Sequence, residues 1–459
     1  MLSVLRNRTY RRLFTAQVVA LAGTGLATVA LSLLAYDLAG ADASAVLGTA
    51  LAIKMVAYVG IAPLISAFAD RIARRGLLVA MDLTRAAAAL ALPFVTEVWQ
   101  VYALILLLQA ASAAFTPTFQ ATVPDVLPDE RDYTRALSLS RLAYDLENLF
   151  SPALAAALLT LVPSGLLFAG TSAGFLASAA LVASVLLPKP APVEERAGGP
   201  YTRAAFGTRL FLATPRLRAL LALDLVVAAG GAMVLVNTVV LVREVLGRPV
   251  GDVTLALGAY GAGSMTAALL LPPLLDRVGD RAVLLPAAFV TAGTLALLPA
   301  GLAAGPDAWS WPALLAAWLL LGAAGSAVLT PGGRLLRRSA DRADLPAVFA
   351  ARFSLAHGCW LLTYPLAGWT ATRAGLGAAA SALGAVALLA AVAAVRLWPR
   401  TDPDEPDELE HLHPDLAPDH PHLAGAGRRH AHDYRVDALH PGWAAPALTA
   451  RTRGPRNAA

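Results

Sequence analysis

Apolar runs of bilayer length dominate this chain and limit what it can fold into. Twelve of them occur, at about residues 14–38, 45–69, 77–97, 100–123, 136–162, 165–187, 217–242, 252–275, 282–304, 309–330, 346–371 and 375–398. An α-helix rises ~1.5 Å per residue, so ~20 residues cross a hydrocarbon core ~30 Å thick. Composition agrees, with 57% of residues hydrophobic and 15% charged, against about half and about a quarter in soluble domains. The expected fold is all-α and polytopic, with twelve transmembrane helices. Cys359, the one cysteine, lies inside an apolar run, which excludes a disulfide framework and a thiolate metal cluster.

The formal net charge is +5, but the basic residues form short clusters between the runs. That pattern orients helices in a membrane and differs from the continuous basic face of a nucleic-acid binder. Arg6, Arg8, Arg11 and Arg12 precede the first run, and Arg71, Arg74 and Arg75 follow the second. Arg131 and Arg135 follow the fourth, and Lys189, Arg196, Arg203, Arg209 and Arg216 fill the stretch between the sixth and seventh. Arg277 and Arg281 follow the eighth, and Arg334, Arg337, Arg338 and Arg342 the tenth; the other side has only Arg243, Arg248 and Arg373. The positive-inside rule then expects both termini in the cytoplasm of a multi-pass protein of the plasma or inner membrane. The basic N-terminus leads into its apolar run without a small-residue cleavage site, so it is expected to remain as the first helix.

The chain repeats itself. DRIARRGLL at 70 returns as DRVGDRAVL at 276, 206 residues later, and Thr-Pro closes both the fourth run (Thr116, Pro117) and the tenth (Thr330, Pro331). Two six-helix halves joined by a polar linker are what a rocking-bundle transporter requires. The expected organisation is a first bundle over 1–187, a cytoplasmic linker over 188–216, a second bundle over 217–398 and a cytoplasmic histidine-rich tail over 399–459.

The stretch Ser66-x-x-x-Asp70-Arg71-x-Ala73-Arg74-Arg75 resembles the loop between helices 2 and 3 of the major facilitator superfamily, G-x-x-x-D-R-x-G-R-R, with both glycines replaced. Asp276-Arg277-x-Gly279-Asp280-Arg281 is a second, looser copy. The resemblance implies that Asp70 caps a neighbouring helix and that arginines such as Arg71 bridge the halves in one of two conformations. Arg74, Arg75, Asp276 and Arg277 are expected to join that loop network.

Ionisable groups inside a span are costly and so mark candidate sites. The richest stretch is RLAYDLENLFSP in the fifth run. Counted from residue 137, Asp145 lies ~12 Å and Glu147 ~15 Å deep. Arg141, Asp145, Asn148 and Pro152 share one helical stripe, and Glu147 points along another with Ser140 and Ser151. Asp145 is expected to pair with Arg141, which a structural i,i+4 pair would also explain, leaving Glu147 for a cation or a proton. Lys54, ~13 Å deep in the second run, is either a counter-charge to Asp145 or Glu147 or a snorkelling lysine. Asp82 and Arg85 in the third run are expected to join the loop network, and Asp224 and Asn237 are weaker candidates. His357 and Cys359 in AHGCW could supply metal ligands, although a lone histidine there is more often a packing residue. Gln17, Thr24 and Thr28 form one polar stripe, and Gln109, Ser112 and Thr116 another.

After Arg400 the chain turns acidic and proline-rich, a composition expected to be disordered or extended. Seven of the eight histidines fall here: His411 with His413, His420 with His422, His430 with His432, and His440. In an extended chain residues i and i+2 point the same way, so each H-x-H pair can chelate one ion. Nitrogen with carboxylate and no thiolate suits nickel, cobalt, zinc or copper(II). The tail and the stretches LSRLAYDLENL, AHGCWLLTYPLAGW and AHDYRVDALHPGW resemble the nickel-resistance exporters of the superfamily. No Walker loop is present, so ATP is not the expected driver.

The function expected is proton-coupled efflux of a divalent cation, nickel or cobalt first, by a monomer that is not an enzyme and carries no cofactor. Its partners would be that cargo, protons and the lipid bilayer, with no nucleic acid. The alternatives are an exporter of amphiphilic organic compounds or siderophores, and a membrane metal sensor without transport.

Overall fold

The computed structural model describes residues 2–39, 49, 53–61, 73–159, 161–187, 200–305, 307–342, 344–398, 408–412, 423, 429–433 and 439–440. The chain is built from helices. In order they are α1 (Arg8–Ala39), α2 (53–61), α3 (Arg74–Ala91), α4 (Val98–Val126), α5 (Glu130–Leu159), α6 (Ser164–Ala183) and α7 (Pro200–Ala213). Then follow α8 (Pro215–Val240), α9 (Val250–Leu275), α10 (Asp280–Ala303), α11 (Ser310–Leu329), α12 (Gly332–Ser339) and α13 (Leu345–Leu397). Among the described residues eight helical stretches are long and apolar enough to cross a membrane. One of them, α13, has 53 residues and breaks at Gly375, where φ is +84°. Glycine enters that region without steric cost, so the break falls where the eleventh and twelfth runs were separated. With α1, α5 and the described part of the second run, the helices are consistent with twelve spans.

Local rules explain several boundaries. Gln100 accepts from the Glu97 backbone N–H at 3.1 Å, and the reciprocal bond completes a capping box at the start of α4. Pro163, Pro249 and Gly279 precede α6, α9 and α10 in extended conformation. Where α9 crosses α11, a Cβ on Gly263 would meet the Leu319 carbonyl, and one on Gly322 would meet that of Tyr260. Small residues at such crossings let helices approach closely in lipid.

Each half has its own core. Tyr10, Leu13, Phe115, Phe119 and Leu139 are buried together in the first, and Leu217, Leu223, Trp318, Phe349 and Leu383 in the second. Trp99, Trp309 and Trp369 are exposed, all at the end away from the arginine clusters, as an aromatic belt at a membrane interface would be. The halves meet along α5 against α9 and α4 against α13.

Two features differ from the sequence reading. The linker contains the helix α7, which packs on α13 with Gly207 against Ala347. The tail contains two strands, which are paired: β1 (Glu408–Leu412) and β2 (Arg429–Asp433) run antiparallel, with His411 opposite His430 and Leu409 opposite His432. The histidine and carboxylate side chains were read one strand at a time, and pairing between distant segments leaves no short-range signal.

Candidate functional site

The halves enclose a central cavity of about 220 Å³. Gln17, Ser140, Arg141 and Tyr144 line it from the first half, and Asp224, Thr330, Arg352 and His357 from the second. Helix α5 supplies most of the charge on its side. Arg141 Nη2 lies 2.7 Å from Asp145 Oδ1, the i,i+4 spacing that puts two side chains on one face. Ser264 of α9 joins them, donating to Asp145 at 2.7 Å and accepting from Arg141 Nε and Nη2 at 3.1 and 3.0 Å. The pair expected within one helix is thus a three-membered network that reaches across the two halves. Beside it, Ser140 donates to Gln17 on α1 at 3.0 Å.

On the opposite wall Arg352 of α13 holds Asp224 of α8, with Nη2 3.1 Å from Oδ1 and Nε 3.4 Å from Oδ2. Sequence reasoning named Asp224 and passed over Arg352. The signal was there, because an arginine six residues into the eleventh run meets the same cost criterion that selected Asp145. Ser264 could not have been found, since a serine in an apolar run is unremarkable until its partner across the interface is known.

Glu147 lies half-buried on α5, away from Asp145. Lys54 on α2 is the cation whose field reaches it. The lysine also lies 5.6 Å from the Tyr58 ring centre, and Tyr58 meets the His357 ring edge-on at 4.6 Å. His357 donates from Nδ1 to the Phe353 carbonyl at 2.7 Å. Cys359 is buried two residues on, near Asp224, so the two do not converge on one ion. Among the described residues no three His, Cys, Asp or Glu side chains form a metal site.

Asp82 and Arg85 are a correction to the loop-network expectation. They pair with each other, Ser178 of α6 donates to Asp82 at 2.7 Å, and the Arg85 guanidinium stacks between Phe115 and Phe175 at 4.2 and 4.5 Å. The aromatic faces and the serine make a closed polar centre within the first half, which leaves neither residue for the loops.

The loop network is recovered only in part. Asp70 and Arg71 lie outside the described residues, as do His413, His420 and His422. Arg74 pairs with Asp125 at the end of α4, within one half, and Arg75 is exposed. Asp276 faces Arg131 at 3.8 Å, and Arg277 lies in the same cleft. The stronger links between halves come from Glu130, which the sequence reading did not name, and from arginines it took only as topology signals. Glu130 at the start of α5 lies 3.2 Å from Arg334 and 2.6 Å from Arg338 of α12, and both arginines also reach Asp280, at 3.5 and 3.3 Å. Arg334 adds a bond to Thr134 at 3.3 Å, and Arg337 binds the Pro128 carbonyl. Asn148 continues the α5 stripe of Arg141 and Asp145, and His440 of the tail is buried.

The sequence profile of the Major Facilitator Superfamily matches residues 13–249 and again 221–433. The chain belongs to the major facilitator superfamily. Two overlapping matches, one for each half, fit the internal duplication of a superfamily member. Among solved structures the human organic anion transporter MFSD10 (TETRAN) superposes with a TM-score of 0.72 at 15% identity, over 84% of this chain and 99% of that one. A bacterial homologue of the iron transporter ferroportin, in an outward-facing state, superposes with a TM-score of 0.70 at 14% identity, over 85% and 99%. No curated protein matches the sequence. At these identities the likenesses carry the superfamily fold alone. As a superfamily transporter the protein is a multi-pass membrane protein that binds a small substrate.

Proposed function

We propose that this transporter is a proton-coupled exporter of the cell membrane, with both termini cytoplasmic, which moves a divalent metal such as nickel or cobalt by alternating access. The observation that carries the proton coupling is the setting of Glu147. Asp82, Asp145 and Asp224 each have an arginine partner. Glu147 has neither an ion pair nor a hydrogen bond among the described residues, and only the field of Lys54 offsets its charge. A carboxylate held this loosely can take up a proton without breaking a buried ion pair. It binds the proton when the cavity opens outward and releases it inward, while cargo moves the other way.

The metal reading rests on the tail. The register of β1 and β2 brings the positions of His411, His430 and His432 onto one face of the strand pair, since alternate residues share a face. A tail segment holding metal beside the inward mouth would raise its local concentration. A second reading, export of an organic anion or siderophore, is favoured by Arg141 and Arg352 in the cavity. The two structural relatives do not choose, since one is named for organic anions and the other for iron.

The test is flux of radiolabelled nickel into proteoliposomes, with and without a pH gradient and with and without a carboxylate ligand in the buffer. The wild-type protein should show gradient-driven flux, and Glu147→Gln should lose at least tenfold of it while still inserting. Wild-type flux in that variant removes Glu147 from the mechanism. No nickel flux under any condition passes the function to the organic reading.

A further inference from the structure

The central cavity has an arginine on each of its two walls. Arg141 comes from the first half and Arg352 from the second, and both line the one space. In each pair the cation is the more exposed partner: 20% against 4% for Arg141 and Asp145, and 15% against 2% for Arg352 and Asp224. Asp145 lies outside the cavity lining, while Asp224 lines the cavity together with Arg352. Arg141 directs Nε and Nη2 to Ser264 and Asp145, and Arg352 directs Nε and Nη2 to Asp224. A guanidinium carries five N–H donors in a planar fork, and Nη1 of each has no partner among the described residues. Each fork is held by its carboxylate, the Arg352 guanidinium also packs against Gly332, and both arginines line the cavity.

We propose that Arg141 and Arg352 form a two-sided clamp for the carboxylate groups of a small organic anion, so that cargo enters this cavity as an anion or an anionic metal chelate and not as a bare cation. Planar, bidentate recognition of carboxylate is what arginine does better than lysine. Each pair is neutral overall and its carboxylate is already held by its own arginine, so neither pair offers a bare cation a free carboxylate. Gln17, Ser140 and Tyr144 add neutral polar groups on one side, while Phe349 and Phe353 offer an apolar surface on the other. At about 220 Å³ the space is smaller than the ~300–1,000 Å³ of drug-sized sites, which suits a compact polycarboxylate. The inference deepens the exporter reading by naming the class of cargo, and it rests on the cavity as the path, not on the coupling role of Glu147.

The experiment is equilibrium binding, by calorimetry and thermal shift, to the full-length protein in nanodiscs at one pH. The ligands are citrate, nickel chloride and nickel citrate. A full-length chain with His→Ser at 411, 413, 420, 422, 430, 432 and 440 removes tail binding from the signal. In that chain citrate or its nickel complex should bind and raise the Tm, and nickel chloride should do neither. Binding of citrate alone identifies a free anion as cargo, and binding of the nickel complex alone identifies a chelate. Arg352→Gln combined with Asp224→Asn removes the pair without stranding a carboxylate and should weaken binding at least tenfold. Arg352→Lys keeps the charge and loses the fork, and should weaken it severalfold; this variant decides the matter if the double one does not fold. Citrate bound equally by wild type and the arginine variants, or nickel chloride bound where citrate and its complex are not, overturns the clamp. Flux through Glu147→Gln tests coupling separately, since a failed coupling leaves citrate binding intact.

Discussion

Asp145 and Glu147 lie two residues apart on α5 and should respond differently to losing their charge. Asp145 is buried, bonded to Ser264 and paired with Arg141. Asp145→Asn leaves the Arg141 guanidinium without its counter-charge inside the membrane, and breaking one side of a buried pair typically costs about 3–5 kcal/mol. Glu147→Gln strands only Lys54, whose long stem lets the ammonium move toward water. The aspartate variant should therefore show a lower Tm and a smaller folded yield by fluorescence-detected gel filtration than the glutamine variant. Equal losses would mean that Arg141 and Asp145 do not depend on each other. The in-span cost of charge made Lys54, Arg141, Asp145 and Glu147 legible from sequence alone. Arg352 was equally legible by that criterion. Ser264 and the stacking of Arg85 were not, because both owe their roles to neighbours distant in the chain.

Among elements, the long apolar helices were legible nearly to their ends, since a bilayer demands length and hydrophobicity that no other constraint imposes. Even the break inside α13 was foreseen, between residues 371 and 375, where Gly375 now shows the positive φ. The shorter α7 and α12 were missed. They lie at the arginine-rich end, where water can satisfy the backbone and no length rule applies, and their amphipathic pattern was hidden among basic residues read as topology signals. The tail was read as disordered or extended, and the pairing of its strands could not be read. If the tail collects metal, replacing His411, His430 and His432 by serine should leave flux unchanged at saturating metal and lower it severalfold when metal is scarce. Binding to the unmodified tail should weaken as pH falls through about 6.5, because protons compete for the same ring nitrogens. Calorimetry on the full-length protein against the serine variant reads this directly. Identical nickel isotherms at pH 7.5 would remove the tail from the function.

At the scale of the whole molecule, alternating access would require the two halves to separate at one end at a time. The charges divide into two layers. The central layer, with Arg141, Asp145 and Ser264, joins α5 to α9 in the middle of the cavity wall. The outer layer lies at the arginine-rich end, where Glu130 with Arg334 and Arg338 ties α5 to α12, and Arg337 holds the Pro128 carbonyl just before α5. Rocking the halves apart at that end must break the outer layer first. Arg334 is the least exposed of these cations and is shared between Glu130 and Asp280, so the network behaves as a latch and its members act together. Glu130 is itself partly solvated, and an exposed pair contributes about 0.2–1 kcal/mol, enough to shift a two-state population up to roughly fivefold. Glu130→Gln should thus open the arginine-rich end more often without unfolding either half. The readout is alkylation of a single cysteine, Gln120→Cys on the cavity wall, in a Cys359→Ser background, by a reagent that cannot cross the membrane. Applied from the arginine-rich side, it should label the Glu130→Gln chain about two to five times faster, and from the other side more slowly than the parent. Unchanged rates from both sides would mean that the latch does not hold the halves together, and the weight of closure would pass to the central layer, where Ser264→Ala is the next variant to label.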